Sequence, residues 1–249
     1  MSTELVIINQ PRVFPYRREY RIAKRVMDVA ICLLALPVVL PLMAICALAI
    51  ILDSRGPVLF VQERVGRGGR PFLMYKFRTM QQSLDDSSHR AFMKAFVNGK
   101  IDSSEPAAAC NSRCVSLRPS EEIPFGSNGN GKIYKPIQAS QITRVGRILR
   151  KASVDELPQI FNVLKGEMSL VGPRPNVPWE VEEYRSWHHE RLEVLPGITG
   201  LAQVRGRSAI SFDHIVRYDV EYVEKQSLKM DLNILWWTLS SVICGKGAE

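Results

Sequence analysis

An uncharged apolar segment at residues 29–52 constrains this chain more than any other feature. It reads VAICLLALPVVLPLMAICALAIIL. As a helix it would be roughly 36 Å long, and the hydrocarbon core of a bilayer is about 30 Å thick. A secretory signal has a shorter apolar core and a cleavage site of small residues, so we expect no cleavage here. The segment therefore predicts association with a membrane, because a buried helix of a soluble protein is rarely apolar over this length.

Two prolines and the flanking charges indicate how the segment meets the membrane. Pro37 and Pro41 each remove a backbone donor and clash with the carbonyl four residues earlier, which predicts a sharp kink. Both flanks are basic, and cytoplasmic loops collect such residues, so we expect both ends on the cytoplasmic side. We therefore predict a re-entrant helix-break-helix, with a kinked single span as the alternative. The flanking residues are Arg17, Arg18, Arg21, Lys24, Arg25, Arg55, Arg64, Arg67 and Arg70.

The charge balance indicates an anionic partner. The chain has 33 lysines and arginines against 25 aspartates and glutamates, a net charge of +8. Such an excess favours nucleic acid, an acidic membrane surface or a phosphorylated substrate. We expect no nucleic acid, because the basic residues cluster around the apolar segment and no known binding module is visible. Five scattered cysteines indicate free thiols in a reducing compartment rather than a disulfide framework.

The chain divides into three parts. Residues 1–25 form a basic N-terminal tail, residues 26–54 the re-entrant membrane helix and residues 55–249 a globular domain. Within this domain, residues 81–140 read as a loop insertion that contains the turn-rich sequence FGSNGNGK.

The globular domain is predicted to be mixed α and β and mostly helical. Two strand-like runs, at 58–61 and 72–77, flank a glycine-rich turn and predict a β-hairpin. The sequence LPGITGLAQVRGR reads as loop and short strand. Helices are predicted at residues 90–97, from residue 141, at about 154–164, at 178–193 and at 228–243.

Two of the predicted helices suit a membrane interface. The helix after Gln141 has one apolar stripe and basic residues on its other faces, although a solvated charged face explains it equally well. The helix at 228–243 carries Trp236 and Trp237, and tryptophan is common at the membrane–water boundary. Core packing is the alternative for this pair. We therefore expect a monotopic membrane protein with interfacial amphipathic helices.

Two adjacent carboxylates, Asp155 and Glu156, are the strongest chemical signal in the chain. A carboxylate can attack phosphorus and form an acyl phosphate, and a paired carboxylate helps to hold a hard cation such as Mg²⁺. The positive end of a helix would keep Asp155 ionised and attract phosphate oxygens. The alternative is structural, because Ser153 and Glu156 match a capping box. Pro158 affects both interpretations, since it biases Leu157 away from helical geometry and can move the helix start.

Basic residues support the chemical interpretation of this pair. An arginine fork matches the oxygens of a phosphate group, and the prolines on both sides of Arg174 stiffen its backbone. Each such residue alone is more often a surface charge than a ligand, so their number matters. The candidate substrate-binding residues are Lys76, Arg78, Arg150, Arg174 and Arg207.

These motifs occur in the same order in a known family. The series KRVMD, the kinked apolar segment, PVLFVQERVGRGGRPFLMYKFRTM, ITRVGRILRKASVDELPQIFNVLKGEMSLVGPRP and LPGITGLAQVRGR resembles the bacterial sugar transferases, the monotopic phosphoglycosyl transferases. The match runs from about Arg25 to the C-terminus. The resemblance implies a re-entrant helix in the bacterial inner membrane and a catalytic domain in the cytoplasm. It also implies Mg²⁺-dependent transfer of a sugar-1-phosphate from a UDP-sugar to undecaprenyl phosphate, a polyprenyl phosphate, with release of UMP.

The resemblance also implies roles for single residues. Asp155 would be a metal ligand and the nucleophile of a ping-pong reaction with a covalent aspartyl phosphosugar, and Glu156 would be its partner in metal or proton handling. Asp219, within RYDVEY, falls on a family motif, with a core ion pair as its alternative role. The insertion at 81–140 is longer than in the smallest members. The positions suited to phosphate or nucleotide contacts are Lys76, Arg150, Arg174 and Arg207.

Two rival functions differ from this expectation in their products. A silent membrane adaptor that binds anionic lipid or a partner enzyme would release no UMP and need no metal. A glycosyltransferase that breaks the sugar–phosphate bond would release UDP. We expect the transferase to start a lipid-linked exopolysaccharide or surface glycan, with a UDP-sugar, polyprenyl phosphate and membrane lipids as partners. The sugar and a homo-oligomeric state stay open.

Overall fold

The structure, a computed structural model, describes residues 18–81, 87–98, 142–206 and 211–243. It is mixed α and β and mostly helical, as predicted. The strands are β1 Leu59–Val65, β2 Pro71–Phe77, β3 Ser169–Val171 and β4 Gly197–Thr199. The α-helices are α1 Arg18–Asp53, α2 Ser87–Val97, α3 Arg144–Lys151, α4 Gln159–Lys165, α5 Pro178–Val181, α6 Leu201–Gly206, α7 Phe212–Lys225 and α8 Leu228–Ile243. The described 3₁₀ segments are Arg67–Gly69, Val154–Glu156 and Ser186–Glu193.

β1 and β2 form the predicted antiparallel hairpin. Leu59 pairs with Phe77 at its open end and Val65 with Pro71 at its turn. In the turn, Gly68 has a φ of 68°, a left-handed conformation that glycine adopts without steric cost. The glycine-rich turn therefore closes the hairpin, as its composition predicted.

A parallel pair of strands, β3 and β4, lies beside α4. Ser169 is opposite Gly197 in this pair. The approach requires glycine, because a Cβ on Gly197 would lie 2.1 Å from the nitrogen of Gly172, and a Cβ on Gly172 would lie 2.3 Å from the oxygen of Leu195. Only β4 was predicted, as the short strand within LPGITGLAQVRGR. Strands of three residues are too short to show an alternating pattern.

The remaining helices agree with the sequence-based expectation in part. α2 and α8 lie where helices were predicted, and α3 follows residue 141. The helix predicted at 178–193 is divided, because the backbone at Arg185 is extended, with φ −74° and ψ 160°. α6 forms in sequence predicted as loop and strand, and α7 was not predicted. Most of the insertion at 81–140 lies outside the described residues.

α1 is one helix of 36 residues that contains both Pro37 and Pro41. The structure therefore has a continuous helix where we predicted two helices separated by a break. α1 begins at Arg18 rather than at the predicted boundary of residue 26, because the sequence REYRIAKR contains no glycine or proline. Its buried residues recur at helical spacing along one face. They are Asp28, Cys32, Cys46 and Ile50.

The opposite face of α1 is apolar and exposed. Leu34 is 81% exposed and Val38 is 72% exposed. Among the described residues, α1 is the one helix that is long and apolar enough to cross a membrane. Soluble monomers rarely expose a contiguous apolar surface of this extent. This face is therefore compatible with association with a membrane.

The N-terminal part of α1 is bonded to the globular domain. Arg25 donates hydrogen bonds to the carbonyl oxygens of Val163 and Leu164 in the last turn of α4. A cation at this position also meets the negative end of the helix dipole. Lys24 forms an ion pair of 3.1 Å with Asp231 of α8, whose side chain is fully buried.

The C-terminal part of α1 packs against the same domain. Cys46 and Ile50 form an apolar cluster with Phe77 of β2 and Leu149 of α3. The carboxylate of Asp53 accepts a hydrogen bond of 3.1 Å from a backbone N–H in the first turn of α3. Both ends of α1 are thus attached to one domain.

Two helices of this domain also expose apolar side chains. In α8, Trp236 is 67% exposed and Trp237 is 43% exposed, so core packing is the wrong interpretation of this pair. In α3, Ile148 is 68% exposed, whereas Val145 and Leu149 pack against α1. The apolar stripe predicted for α3 is therefore divided between the core and the surface.

Asn162 of α4 joins the hairpin to the helix that follows the acidic pair. Its side chain is fully buried, accepts a hydrogen bond of 3.1 Å from the nitrogen of Tyr75 and donates one of 2.7 Å to the oxygen of Leu73. Asn162→Leu leaves both backbone groups without a partner, so we expect it to lower the free energy of unfolding by about 2–4 kcal/mol. Denaturant unfolding in detergent measures this change.

A neighbouring position supplies the control. Phe161 is 37% exposed, and Phe161→Ala should lower the free energy of unfolding by less than about 1 kcal/mol. Equal losses for the two variants would contradict the structural role given to Asn162.

Candidate active site

The acidic pair lies in a short 3₁₀ segment before α4. Asp155 and Glu156 belong to the segment Val154–Glu156, and α4 begins only at Gln159, with Pro158 as its N-cap residue. The helix predicted from about residue 154 therefore starts later. Pro158 is the physical reason, because it has no backbone N–H to continue the hydrogen-bond ladder of a helix. The expectation that it moves Leu157 away from helical geometry is wrong, because Leu157 has a φ of −53° and a ψ of −38°.

Ser153 does not form the capping box that its spacing suggested. Its backbone is left-handed, with φ 54° and ψ 23°, and its side chain makes no capping hydrogen bond. Among the described residues it is the one non-glycine residue with a positive φ. Such a conformation costs a non-glycine residue roughly 1–2 kcal/mol, and strained residues are common at functional sites. The capping box that was the alternative role for Ser153 and Glu156 is therefore not formed.

Glu156 instead holds cations from two distant parts of the chain. Its Oε1 lies 2.8 Å from Nζ of Lys76, in β2, and 2.9 Å from Nη2 of Arg174, in the turn after β3. Lys76 and Glu156 are mostly shielded from water, whereas the side chain of Arg174 is half exposed. The structure thus brings three of the predicted site residues into direct contact.

These contacts give the two carboxylates different acidities. Burial alone would raise the pKa of Glu156, but Arg174 and Lys76 outweigh it and lower the pKa to about 2. Burial raises the pKa of Asp155 and the charge of Glu156 raises it further, while Lys76 and Arg150 oppose the rise. Glu156 is therefore an ionised counter-ion at neutral pH, and Asp155 is the more basic carboxylate. We expected a helix terminus to lower the pKa of Asp155, whereas burial and the charge of Glu156 raise it.

Asp155 itself is half-buried and has no ion-pair partner. Within the part of the chain that the structure describes, no lysine or arginine nitrogen lies within 4.0 Å of its carboxylate. Arg150 acts on it from a longer distance, and its Nε is held by a hydrogen bond of 3.0 Å to Oγ1 of Thr79. The carboxylate is thus surrounded by positive charge and still available to a ligand.

The turn that carries Arg174 is supported from behind by Arg191. This buried arginine donates hydrogen bonds of 3.0 Å to the oxygen of Arg174 and to Oδ1 of Asn176. It also lies 2.6 Å from Asp219, and both side chains are only 2% exposed. Burial raises the pKa of Asp219 to about 6 although Arg191 opposes the rise. The core ion pair is thus confirmed as a role of Asp219.

Two candidate residues are not part of this cluster. Arg78 is buried and donates hydrogen bonds of 2.7 Å to the oxygen of Ser54 and 3.0 Å to the oxygen of Arg55. It therefore donates to carbonyl groups just after α1 rather than to Glu156. Arg207 lies outside the described residues, so its role stays a prediction.

A small cavity that is partly open to solvent adjoins Glu156. Arg64 lines it and was counted from the sequence only as a flanking basic residue. The alternation of side chains along a strand is the signal that points to Arg64. Alternate residues of a strand share a face, and β1 pairs in register with β2, the strand that carries Lys76. The residues that line the cavity include Arg64, Met74, Lys76, Glu156, Gln159 and Arg174.

Comparison with known proteins agrees with the resemblance seen in the motifs. Residues 19–245 match the family model described as bacterial sugar transferase. The chain is 36% identical to the galactosyl transferase CpsE of Streptococcus agalactiae over 94% of this chain and 45% of that protein. It is 36% identical to an undecaprenyl-phosphate galactose phosphotransferase of Salmonella typhimurium over 93% of this chain and 43% of that protein.

A third relative is matched over a larger share of its own length. The chain is 35% identical to the UDP-glucose:undecaprenyl-phosphate glucose-1-phosphate transferase of Caulobacter vibrioides, over 97% of this chain and 77% of that protein. By contrast, the chain spans less than half the length of the Streptococcus and Salmonella relatives.

The left-handed backbone at Ser153 predicts how substitutions there change the stability of the protein and the position of Asp155. The free energy of unfolding of Ser153→Gly should lie within about 1 kcal/mol of the wild-type value, because glycine accepts a positive φ. Ser153→Val should lose about 1–2 kcal/mol and displace the segment that carries Asp155, because a β-branched residue is strained there. Denaturant unfolding and turnover in detergent measure both effects. If the Ser153→Val variant were as stable as the Ser153→Gly variant, the proposed backbone strain at Ser153 would be wrong.

Proposed function

Because this chain belongs to the bacterial sugar transferase family, we propose that it moves a sugar-1-phosphate from a UDP-sugar to undecaprenyl phosphate and releases UMP. The name of the Caulobacter relative gives UDP-glucose as the donor, glucose-1-phosphate as the transferred group and undecaprenyl phosphate as the acceptor, and the name of the Salmonella relative gives the same acceptor. The polyprenyl diphosphate sugar that forms would start a lipid-linked exopolysaccharide or surface glycan.

One observation supports this proposal above all others. Glu156 is neutralised by Lys76 and Arg174, and the adjacent Asp155 keeps a half-buried carboxylate without an ion-pair partner. A more basic carboxylate beside a cationic cavity suits nucleophilic attack on a phosphorus atom.

The proposed reaction has two displacements. In the first, an oxygen of Asp155 forms a bond to the sugar-bearing phosphorus, the bond from this phosphorus to the bridging oxygen breaks, and UMP leaves with the electron pair. In the second, an oxygen of the polyprenyl phosphate attacks the same phosphorus and releases the carboxylate of Asp155. Lys76, Arg150 and Arg174 would stabilise the negative charge on the phosphoryl oxygens in both steps.

We also propose that Asp155 binds Mg²⁺, with Glu156 beside it. The described residues contain no group of three or more His, Cys, Asp or Glu side chains that could hold a metal ion alone. This fits Mg²⁺, which is usually bound by one or two carboxylates together with substrate phosphates and water. When bound, the ion would neutralise charge on the diphosphate oxygens.

The nucleophile is tested by isosteric substitution. Asp155→Asn should lower the turnover of UDP-sugar and polyprenyl phosphate by at least about 1,000-fold, because an amide cannot form the covalent intermediate. The covalent sugar phosphate, trapped on residue 155 and identified by mass spectrometry, should be absent in this variant. Glu182→Gln, which removes an exposed carboxylate, is the matched control and should keep full turnover.

Three outcomes would count against the proposal. Full turnover of Asp155→Asn would remove Asp155 as the nucleophile. Release of UDP in place of UMP would indicate a glycosyltransferase. Absence of any nucleotide product from a panel of UDP-sugars would favour a membrane adaptor.

We further propose that α1 enters and leaves the membrane on the cytoplasmic side, so that the catalytic domain faces the cytoplasm. A span would place the two ends of α1 on opposite sides of about 30 Å of hydrocarbon. One folded domain cannot then be bonded to both ends. The contacts of Arg25 with α4 and of Ile50 with Phe77 support the re-entrant arrangement, because they attach both ends to one domain.

Cysteine labelling tests this topology. Arg18→Cys and Arg55→Cys place thiols at exposed positions before and after α1. A membrane-impermeant maleimide should label both in inverted inner-membrane vesicles and neither in spheroplasts, above the labelling of the unsubstituted chain. Leu34→Cys, at an 81% exposed position, should react only after detergent is added. Labelling of the first two positions from opposite sides would refute the re-entrant helix.

A further inference from the structure

We propose that Arg64 binds a phosphate group of a substrate at the cavity beside Glu156, an inference that rests on the function proposed above. Arg64 belongs to β1 and pairs with Phe72 of β2. Alternate residues of a strand share a face, so Lys76 lies on the same face of the hairpin as Arg64. Both line the cavity. The hairpin therefore supplies two cations to one side of this cavity.

The cavity has an excess of positive charge. Arg64, Lys76 and Arg174 line it, and Glu156 is the one carboxylate among its described lining residues. Glu156 already pairs with Lys76 and Arg174. No carboxylate oxygen of the described residues lies within 4.0 Å of the Arg64 guanidinium. Arg64 is thus a cation without a counter-ion in direct contact.

Burial makes this lack of a counter-ion unfavourable. Burial lowers the pKa of Arg64 to about 10, and the charge of Arg174 contributes to the decrease. The side chain is still protonated at neutral pH, so it carries its charge in a poorly hydrated place. An anion in the cavity would offset this cost.

The hydrogen bonds of Arg64 leave its Nε without an acceptor and available to a ligand. Its Nη1 donates to the oxygen of Pro175 at 3.0 Å, and its Nη2 donates to Oε1 of Gln62 at 2.6 Å. Its Nε is buried and has no acceptor in the described structure. Buried donors without a partner are rare in folded proteins. A phosphate oxygen would satisfy this donor, and the two existing bonds already hold the guanidinium in one orientation.

Two substrates carry a suitable group, namely the diphosphate of the UDP-sugar and the phosphate of the polyprenyl acceptor. UDP and a short-chain polyprenyl phosphate serve as separate probes, because neither reacts alone in the proposed transfer. Isothermal titration of each probe into the full chain in lipid nanodiscs therefore measures binding without turnover.

Arg64→Gln should weaken the binding of at least one probe roughly 10- to 100-fold, which corresponds to the loss of a charged hydrogen bond. Arg70→Gln removes an exposed charge at the turn of the same hairpin and should change binding less than about twofold. Arg64→Lys keeps the charge without the fork and should recover part of the affinity. The KM for the corresponding substrate should rise in parallel in Arg64→Gln, while its thermal unfolding midpoint stays close to that of Arg70→Gln.

The outcomes distinguish the two sources of the phosphate group, and they distinguish ligand binding by Arg64 from a structural role. Weaker binding of UDP assigns Arg64 to the nucleotide diphosphate, and weaker binding of polyprenyl phosphate assigns it to the acceptor. Equal binding of both probes by Arg64→Gln and Arg70→Gln would overturn the inference. So would a loss of binding in Arg64→Gln and Arg64→Lys alike with lower unfolding midpoints, which indicates structural support of the turn at Pro175. If the wild type releases no UMP, the proposed function fails, but the binding contrast still decides the role of Arg64.

Discussion

The pairing of Glu156 with two cations is the interaction on which the rest of the site depends. Lys76 comes from the hairpin and Arg174 from the turn after β3, so one carboxylate joins two separate parts of the domain. A buried carboxylate without such partners would be protonated or would disfavour folding. With them, Glu156 stays ionised and fixes the segment that carries Asp155. The charge state of the site and its geometry therefore have the same origin.

A second group of buried polar contacts keeps these partners in place. Arg191 fixes the backbone of the turn that presents Arg174, and Asn162 fixes β2 near Lys76. Buried polar groups require defined partners, so such contacts permit few alternative arrangements. The half-exposed guanidinium of Arg174 thus extends from a backbone whose carbonyl oxygen is hydrogen-bonded to a buried arginine. Sites that bind charged substrates benefit from such support, because little has to reorganise when the ligand arrives.

Local patterns in the sequence were enough for the hairpin, α8 and the acidic pair, because each is encoded within a few residues. They were not enough for the partners of Glu156, since Lys76 lies 80 residues away along the chain and Arg174 lies 18 residues away. Proximity in sequence was misleading for Arg78, which follows the end of β2 and therefore turns towards α1. Spacing was also misleading for the capping box, because it does not reveal the left-handed backbone of Ser153.

The attachment of α1 along its length limits how the protein can be dissected. Cys32 packs in one core cluster with Met74, Ile160 and Met168, so part of α1 belongs to the hydrophobic core of the domain. Removing the chain up to Asp53 would expose this core cluster to water. It would also remove Arg25, which donates hydrogen bonds to the carbonyl groups at the end of α4. A fragment made by removing α1 would therefore lack part of the domain's own core.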